Sequence, residues 1–124
     1  KPLNVNRMTG HIYEHLEVSP EGMASVVLTK EVLRRFKASD QLASLVVSVP
    51  GTVEGIFAWS MYVEQEDGTF RVHLRSKGPT VNHIAQEFGG GGHTLACGIP
   101  SVTNIQISEV DTELKATVRN FKKN

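Results

Sequence analysis

Arg75-Ser76-Lys77-Gly78 and Gly89-Gly90-Gly91-Gly92-His93 bracket one short segment, and the reading of that segment decides the fold. Four consecutive glycines are costly in a folded chain, because each loses more backbone freedom on ordering than any other residue. A need for side-chain-free backbone is the counterweight, and close approach to a ligand with N–H groups turned toward it supplies one. Before the glycines, Thr69 to Ser76 alternates as a half-buried strand does. Phe70, Val72 and Leu74 point one way; Arg71, His73 and Arg75 point the other. Gly78-Pro79 breaks the strand. Thr80 is placed to cap a helix whose Val81, Ile84, Ala85 and Phe88 form an apolar stripe, and Gly89 ends it as a left-handed residue. After the glycines, Thr94-Leu95-Ala96-Cys97 is expected to form a short helix, adding positive potential at its N-terminus.

A strand–helix–loop path of this length can return both ends to one edge of a sheet. Arg75 then offers a planar fork, Lys77 a point charge, Ser76 a hydroxyl and the loop its N–H donors, which together make a phosphate site. The plainer alternatives are solvated strand-end charges and a flexible turn. The loop is not a Walker A loop, because His93-Thr94 stands where Lys-Ser/Thr is required. It follows a helix rather than a strand, which excludes the dinucleotide fingerprint.

Outward from that segment, Gly55 to Glu64 is apolar on both faces and reads as a central strand. Glu66-Asp67-Gly68 turns the chain into the alternating strand. Leu3 to Gly10 reads as a short helix with Val5, Met8 and Ile12 at helical spacing, or as a tail. His11 to Val18 and Met23 to Thr29 read as strands of a hairpin around Ser19-Pro20-Glu21-Gly22. Thr29 can cap a helix from Lys30 to about Lys37, and Ser39 or Asp40 the next, with Leu42, Leu45, Val46 and Val49 on its buried face. Gly98-Ile99-Pro100 reads as a break and Ser101 to Ile107 as an edge strand. Ser108 with Asp111 resembles a capping box for a last helix lined by Val110, Leu114, Val118 and Phe121. The expected class is α+β: a mixed sheet of about five strands with helices packed on it and the glycine loop at the sheet edge.

At 124 residues the chain is read as one domain, residues 1–124. Its formal net charge is zero, so no global field drives bulk nucleic-acid or membrane binding, and any anion site must be local. The single cysteine, Cys97, excludes an internal disulfide, fits a reducing compartment and is expected to pack behind the loop as a small apolar group. No apolar run approaches the roughly 18 residues of a membrane span. The chain opens on Lys1-Pro2-Leu3 without a methionine, as expected of a fragment or processed protein. His11-Ile12-Tyr13-Glu14-His15 matches the H-x-x-E-H pattern of inverted zinc proteases. Read as a strand, it sets the two imidazoles on the order of 13 Å apart, too far for one zinc ion to bridge.

Arg75 to Gly78, Val81-Asn82, Ile84-Ala85, Phe88, Gly89 to His93 and Ala96-Cys97-Gly98 together resemble the signature of the DHHA1 domain. That domain is the C-terminal half of DHH-family phosphoesterases. Glu54-Gly55 through Trp59, and Asp67-Gly68, extend the likeness toward the oligoribonuclease (nanoRNase) and phosphoadenosine-phosphate phosphatase subgroup. The resemblance implies a substrate-binding half whose partner, an N-terminal DHH domain of the same chain, holds manganese and performs hydrolysis. This sequence has no Asp-His-His run, so no metal is expected in this domain and it is expected to be inactive alone. Carried over by position, Gly90, Gly91, Gly92 and His93 hold a substrate phosphate, Arg75 and Ser76 contact phosphate or base, and Lys77 and Asn82 stand beside them. Cys97 departs from the small Ala or Ser frequent there. The resemblance implies short RNA or nucleotide phosphates as partners, a cytoplasmic parent and a homodimer as one arrangement open to it. Two alternatives stay open: a cyclic-dinucleotide phosphodiesterase of the same superfamily, and a non-catalytic RNA-binding module like that appended to alanyl-tRNA synthetase.

Overall fold

The computed structural model describes residues 1–123. The strands are Glu17–Val18 (β1), Met23–Leu28 (β2), Ala58–Glu64 (β3), Phe70–Ser76 (β4), Gly91–His93 (β5) and Ala96–Val102 (β6). They form one mixed sheet in the order β1-β2-β3-β4-β6-β5. Leu3–His15 (α1), Lys30–Arg35 (α2), Asp40–Ser44 (α3), Asn82–Glu87 (α4) and Asn104–Lys123 (α5) pack on it, with a 3-10 turn over Val49–Thr52. The class is the α+β expected from the sequence, with one strand more.

β3 carries the architecture because it is apolar on both sides. It runs parallel to β2, through the crossover that contains α2 and α3, and antiparallel to β4. On one face, Met61 and Val63 meet Val5, Met8 and Ile12 of α1, Leu33 of α2 and Ala43 of α3. On the other, Ala58 and Tyr62 join Val72 and Leu74 beneath Ile84 and Ala85 of α4 and Val110, Leu114 and Val118 of α5. Beyond β3 the first face opens to solvent: Arg71 and His93 are exposed, and His73, Arg75, Gly91, Ala96 and Gly98 are half-buried.

Local chemistry sets several boundaries. Thr29 Oγ1 accepts from the Val32 N–H, and Ser39 Oγ from the Leu42 N–H, capping α2 and α3. The Asp40 side chain, the other candidate cap, lies outside the described residues. α5 starts four residues before the expected Ser108. Its capping box is Thr103 with Gln106: Gln106 Oε1 accepts from the Thr103 N–H and Thr103 Oγ1 from the Gln106 N–H.

Other expectations are overturned. Residues 11–15 are helix, not strand, because the Val5, Met8, Ile12 stripe continues through them and buries all three. His11 and His15 therefore stack at 4.0 Å, but among the described residues no group of three or more His, Cys, Asp or Glu side chains could hold a metal ion. The hairpin keeps only Glu17 and Val18 as its first strand. α3 stops at Ser44, so Leu45 is exposed while Ala43, Val46 and Val47 are buried. α4 has Val81 rather than Thr80 at its N-cap and no side-chain cap bond. Thr94 to Cys97 is not a helix: Thr94-Leu95 turns β5 into β6. Gly98-Ile99-Pro100 lies inside β6, with Pro100 where the register against β4 shifts, a place where a missing N–H is tolerated. Ser101 to Ile107 is not an edge strand, since β6 ends at Val102 and α5 begins at Asn104.

One polar cluster ties α5 to β3. Ser60, fully buried, and Tyr62 both donate to Asp111 Oδ1, at 2.7 and 2.6 Å, and Ser60 Oγ lies 3.0 Å from Ser25 Oγ. Burial, then the Asp111 charge, holds the Tyr62 phenol far above its ordinary range. Asp111→Ala removes the acceptor that Ser60 and Tyr62 share, leaving Ser60 with Ser25 Oγ and Tyr62 with Ile107 O at 3.3 Å, and is expected to destabilise the domain by about 1–3 kcal/mol in urea unfolding. A loss indistinguishable from that of an exposed α5 residue would show the cluster to be idle.

Candidate functional site

The glycine run is not a free loop. Its last two glycines and His93 form β5, the sheet's outer strand, held by the pairs Gly91–Gly98, Gly92–Cys97 and His93–Ala96. α4 delivers the chain to it: Gly89 turns with φ +88°, and the Gly90 N–H donates to Ala85 O at 2.7 Å. As an edge strand, β5 leaves alternate backbone N–H and C=O groups unpaired along its outer side.

The four glycines have different reasons. A Cβ on Gly90 would stand 2.0 Å from Gly98 O, and one on Gly92, at φ +137°, would stand 2.8 Å from the Cys97 Cα. β6 therefore demands those two. Gly91 is different, since a Cβ there would meet nothing within 4 Å and its φ lies outside the positive range. Gly91 faces the open side of the sheet.

Register decides which side chains share that side. Arg75 pairs with Ala96, and Ala96 pairs with His93. The three form one row across β4, β6 and β5, so Arg75 and His93 project from the same face, two strand spacings or about 10 Å apart. The next row is His73, Gly98 and Gly91. Arg75 is anchored: Nη1 donates to Leu74 O at 3.0 Å and Cys97 O at 3.2 Å. Among the described residues no carboxylate forms an ion pair with it. An open groove of ≈ 540 Å³ lies beside this row and is lined by Arg71, His73, Gly90, Gly91, Gly98 and Pro100 but not by Arg75 or His93; among the described residues no acidic side chain lines it. By contrast, the groove beside α2 sets Lys30 and Arg34 against Glu64 and Glu66.

The remaining expected site residues are placed elsewhere. Ser76 lies in β4 one residue beyond Arg75 and so points to the opposite face. Its hydroxyl lies against Pro79 O and accepts from the Gly78 N–H, which builds the turn after β4. Lys77 Nζ donates to Gly51 O at 2.8 Å and Val53 O at 3.3 Å, fastening the 3-10 turn. Asn82 opens α4 next to Val81, whose N–H donates to Thr94 O at 2.8 Å, so it stands near the β5–β6 turn. Arg71, Gly98 and Pro100 were not among the expected site residues. The alternation that selected Arg75 also places Arg71 and His73 on its face, and that was the available signal.

Cys97, in β6 beside Gly92, is buried in the core; burial pushes its thiol up, partly opposed by the charge of Arg75. In α5, against Glu87 at the end of α4, burial pushes the Glu113 carboxyl up to about 7, helped by a hydrogen bond to Glu87 and by the charges of Glu87 and Glu109.

This chain belongs to the DHHA1 domain family, whose model matches residues 24–120. It is 35% identical over 114 residues to the "probable bifunctional oligoribonuclease and PAP phosphatase NrnA" of Streptococcus mutans, covering 92% of this chain and 37% of that protein. It is 42% identical over 96 residues to the "bifunctional oligoribonuclease and PAP phosphatase NrnA" of Bacillus subtilis, covering 77% and 30%. The chain thus spans about a third of the length of the curated relatives it matches. Its fold matches an exopolyphosphatase-related protein from Bacteroides fragilis, with a TM-score of 0.85 at 23% identity, over 100% of this chain and 37% of that one. No helix of the described residues is long and apolar enough to cross a membrane.

Two predictions follow from this geometry. Gly90→Ala is expected to cost about 1–3 kcal/mol by overpacking against β6, while Gly91→Ala stays within about 0.5 kcal/mol; thermal unfolding of both compares them directly. Glu113 is protonated more readily in the folded chain than in the unfolded one. Its contribution is therefore present below the ordinary carboxylate range, near 4.5, and is lost as pH rises through about 7. Urea unfolding at about pH 5 and pH 8 should show stability falling with pH, and Glu113→Gln should flatten that fall. An unchanged slope in the variant would assign it to another group.

Proposed function

We propose that this chain is the substrate-binding domain of a manganese-dependent DHH phosphoesterase that hydrolyses very short oligoribonucleotides, phosphoadenosine phosphate or both. The observation that carries the reading is the row Arg75–Ala96–His93 on the open face, beside a glycine edge strand whose Gly91 no protein contact requires. A phosphate set over this row receives a guanidinium from one side, an imidazole from the other and edge N–H donors from β5. The NrnA relatives, named for oligoribonuclease and PAP phosphatase activity, support the substrate class.

In this reading the domain binds and orients. Arg75, held by two carbonyls, keeps its fork aimed with little entropy left to lose. His93 donates to the phosphate and offsets charge that develops on its oxygens. Ser76 and Lys77 act indirectly by fixing the end of β4, and Asn82 by placing the start of α4 near the β5–β6 turn. Manganese, which the family resemblance puts in the DHH half, would when bound there supply Lewis acidity toward the phosphoryl oxygens and the attacking water. The cytoplasmic setting and any homodimer belong to the whole protein.

Binding of a 5′-phosphorylated diribonucleotide to this chain tests the reading by calorimetry. Arg75→Ala and His93→Ala are each expected to weaken binding by about 1.5–3 kcal/mol. In a chain carrying both halves, His93→Ala is expected to lower turnover by about 10²–10³-fold with manganese content unchanged. Normal affinity in both variants would refute the assignment. Competition by cyclic dinucleotides, or affinity that climbs steadily with RNA length, would favour a cyclic-dinucleotide phosphodiesterase or an RNA-binding module instead.

A further inference from the structure

Two histidines of α1 have no part in the phosphate reading. Read as a strand, residues 11–15 hold His11 and His15 too far apart to share an ion; as the last turns of α1 they put both rings on one side of the helix. The ring centroids stand 4.0 Å apart with the planes 22° from parallel. His15 Nδ1 lies 2.9 Å from His11 O. A carbonyl only accepts, so Nδ1 carries the proton and the neutral ring keeps the Nε2 lone pair free. Metal-ligating histidines are held in this way, the second nitrogen donating to a backbone carbonyl. His11 is half-buried, its ring edge-on to Phe36 at 5.3 Å. Burial, then the charges of His15 and Arg35, holds its imidazole below the ordinary range against the opposing charge of Glu14, so it is neutral near pH 7. Arg35 disfavours a bound cation here. Glu14, Glu17, which lines a groove together with His15, and the negative end of the helix favour one.

We propose that His11 and His15 chelate a divalent transition-metal ion of the kind imidazole prefers, Cu²⁺ ahead of Ni²⁺ or Zn²⁺, at the C-terminal end of α1. Metal–nitrogen bonds of about 2.0–2.1 Å set two ligand nitrogens about 3.3 Å apart, which a small rotation of the exposed His15 side chain reaches. Among the described residues no third His, Cys, Asp or Glu completes a group with them. Water takes the remaining positions, and the ion exchanges readily instead of being locked in a closed structural site. α1 lies outside residues 24–120, the part the family model matches, so the site belongs to this chain's own helix. A bound ion fastens the end of α1, whose Val5, Met8 and Ile12 pack against Met61 and Val63 of β3. The site is independent of the phosphate reading.

The experiment titrates the untagged chain with Cu²⁺, Ni²⁺ and Zn²⁺ by calorimetry and records the EPR spectrum of the Cu²⁺ form, in wild type, His11→Ala, His15→Ala and His83→Ala. The wild type is expected to take up one equivalent, Cu²⁺ most tightly, with a spectrum showing two imidazole nitrogens. His11→Ala and His15→Ala should each weaken binding by about 10²-fold, the gain a second tethered contact supplies. His83→Ala, a histidine outside the pair, should bind as the wild type does. Uptake should fade as pH drops from about 7 to 5 and the imidazoles take up protons. His15 is exposed, so His15→Ala is expected to keep the fold, with circular dichroism as the check, and it decides the matter if His11→Ala unfolds. No uptake by the wild type, uptake unchanged in His15→Ala, loss in His83→Ala, or a spectrum with a single nitrogen would each overturn the proposal.

Discussion

The pairing of β6 between β4 and β5 is the constraint on which the site depends. Backbone hydrogen bonds fix which residue stands opposite which, and a slip of one residue would turn every side chain to the other face. As it stands, Arg75, Ala96 and His93 share a row, with Leu74 and Cys97 turned inward beneath α4 and α5. Gly90 and Gly92 lock the register because only glycine lets that backbone lie so close to Gly98 and Cys97. The glycine run serves two ends: two of its members fit the fold, and one leaves space where a ligand can approach.

The rest of the molecule holds that arrangement in place. β3 draws a core from each face, and its pairing with β4 fixes the strand that bears Arg71, His73 and Arg75. α5 is tied down through Asp111 to Ser60 and Tyr62, and its apolar face backs the sheet beneath the groove. The charges near β4 divide their labour. Lys77 and Ser76 are engaged by carbonyls of neighbouring turns, Arg75 by carbonyls of β4 and β6, and Arg71 lines the groove; neither arginine has a carboxylate partner among the described residues. Lys77 and Arg75 are both held by backbone carbonyls; what differs is that Lys77 fastens the 3-10 turn while Arg75 stands in the row of Ala96 and His93 on the open face.

Much of this was legible in the sequence, and the failures share a cause. The alternation of Phe70, Val72 and Leu74 with Arg71, His73 and Arg75 fixed a strand and its two faces, because burial there has a period of two. β3 and the capped starts of α2 and α3 were legible for similar reasons. The glycine strand was not: glycines carry no side-chain pattern, and β5 exists only through its partner β6. Pro100 looked like a break because a bulge that tolerates proline is a tertiary feature. His11 to Val18 fits both periods over so few residues, and only packing of Val5, Met8 and Ile12 into the core settles it as helix. For the site, Arg75 and His93 stood out by residue type. The alternation already put Arg71 on the face of Arg75 and Ser76 on the other; that His93 joins Arg75 in one row required the register.

The central claim is that Arg75 and His93, about 10 Å apart with β6 between them, act on one bound phosphate. A double-mutant cycle in diribonucleotide binding, with Arg75→Ala, His93→Ala and the pair, measures this directly. Residues that far apart with no shared partner add to within about 0.5 kcal/mol. The account predicts a coupling of about 1 kcal/mol or more, carried by the ligand; strict additivity, or coupling equally large in the stability of the unliganded chain, would contradict it.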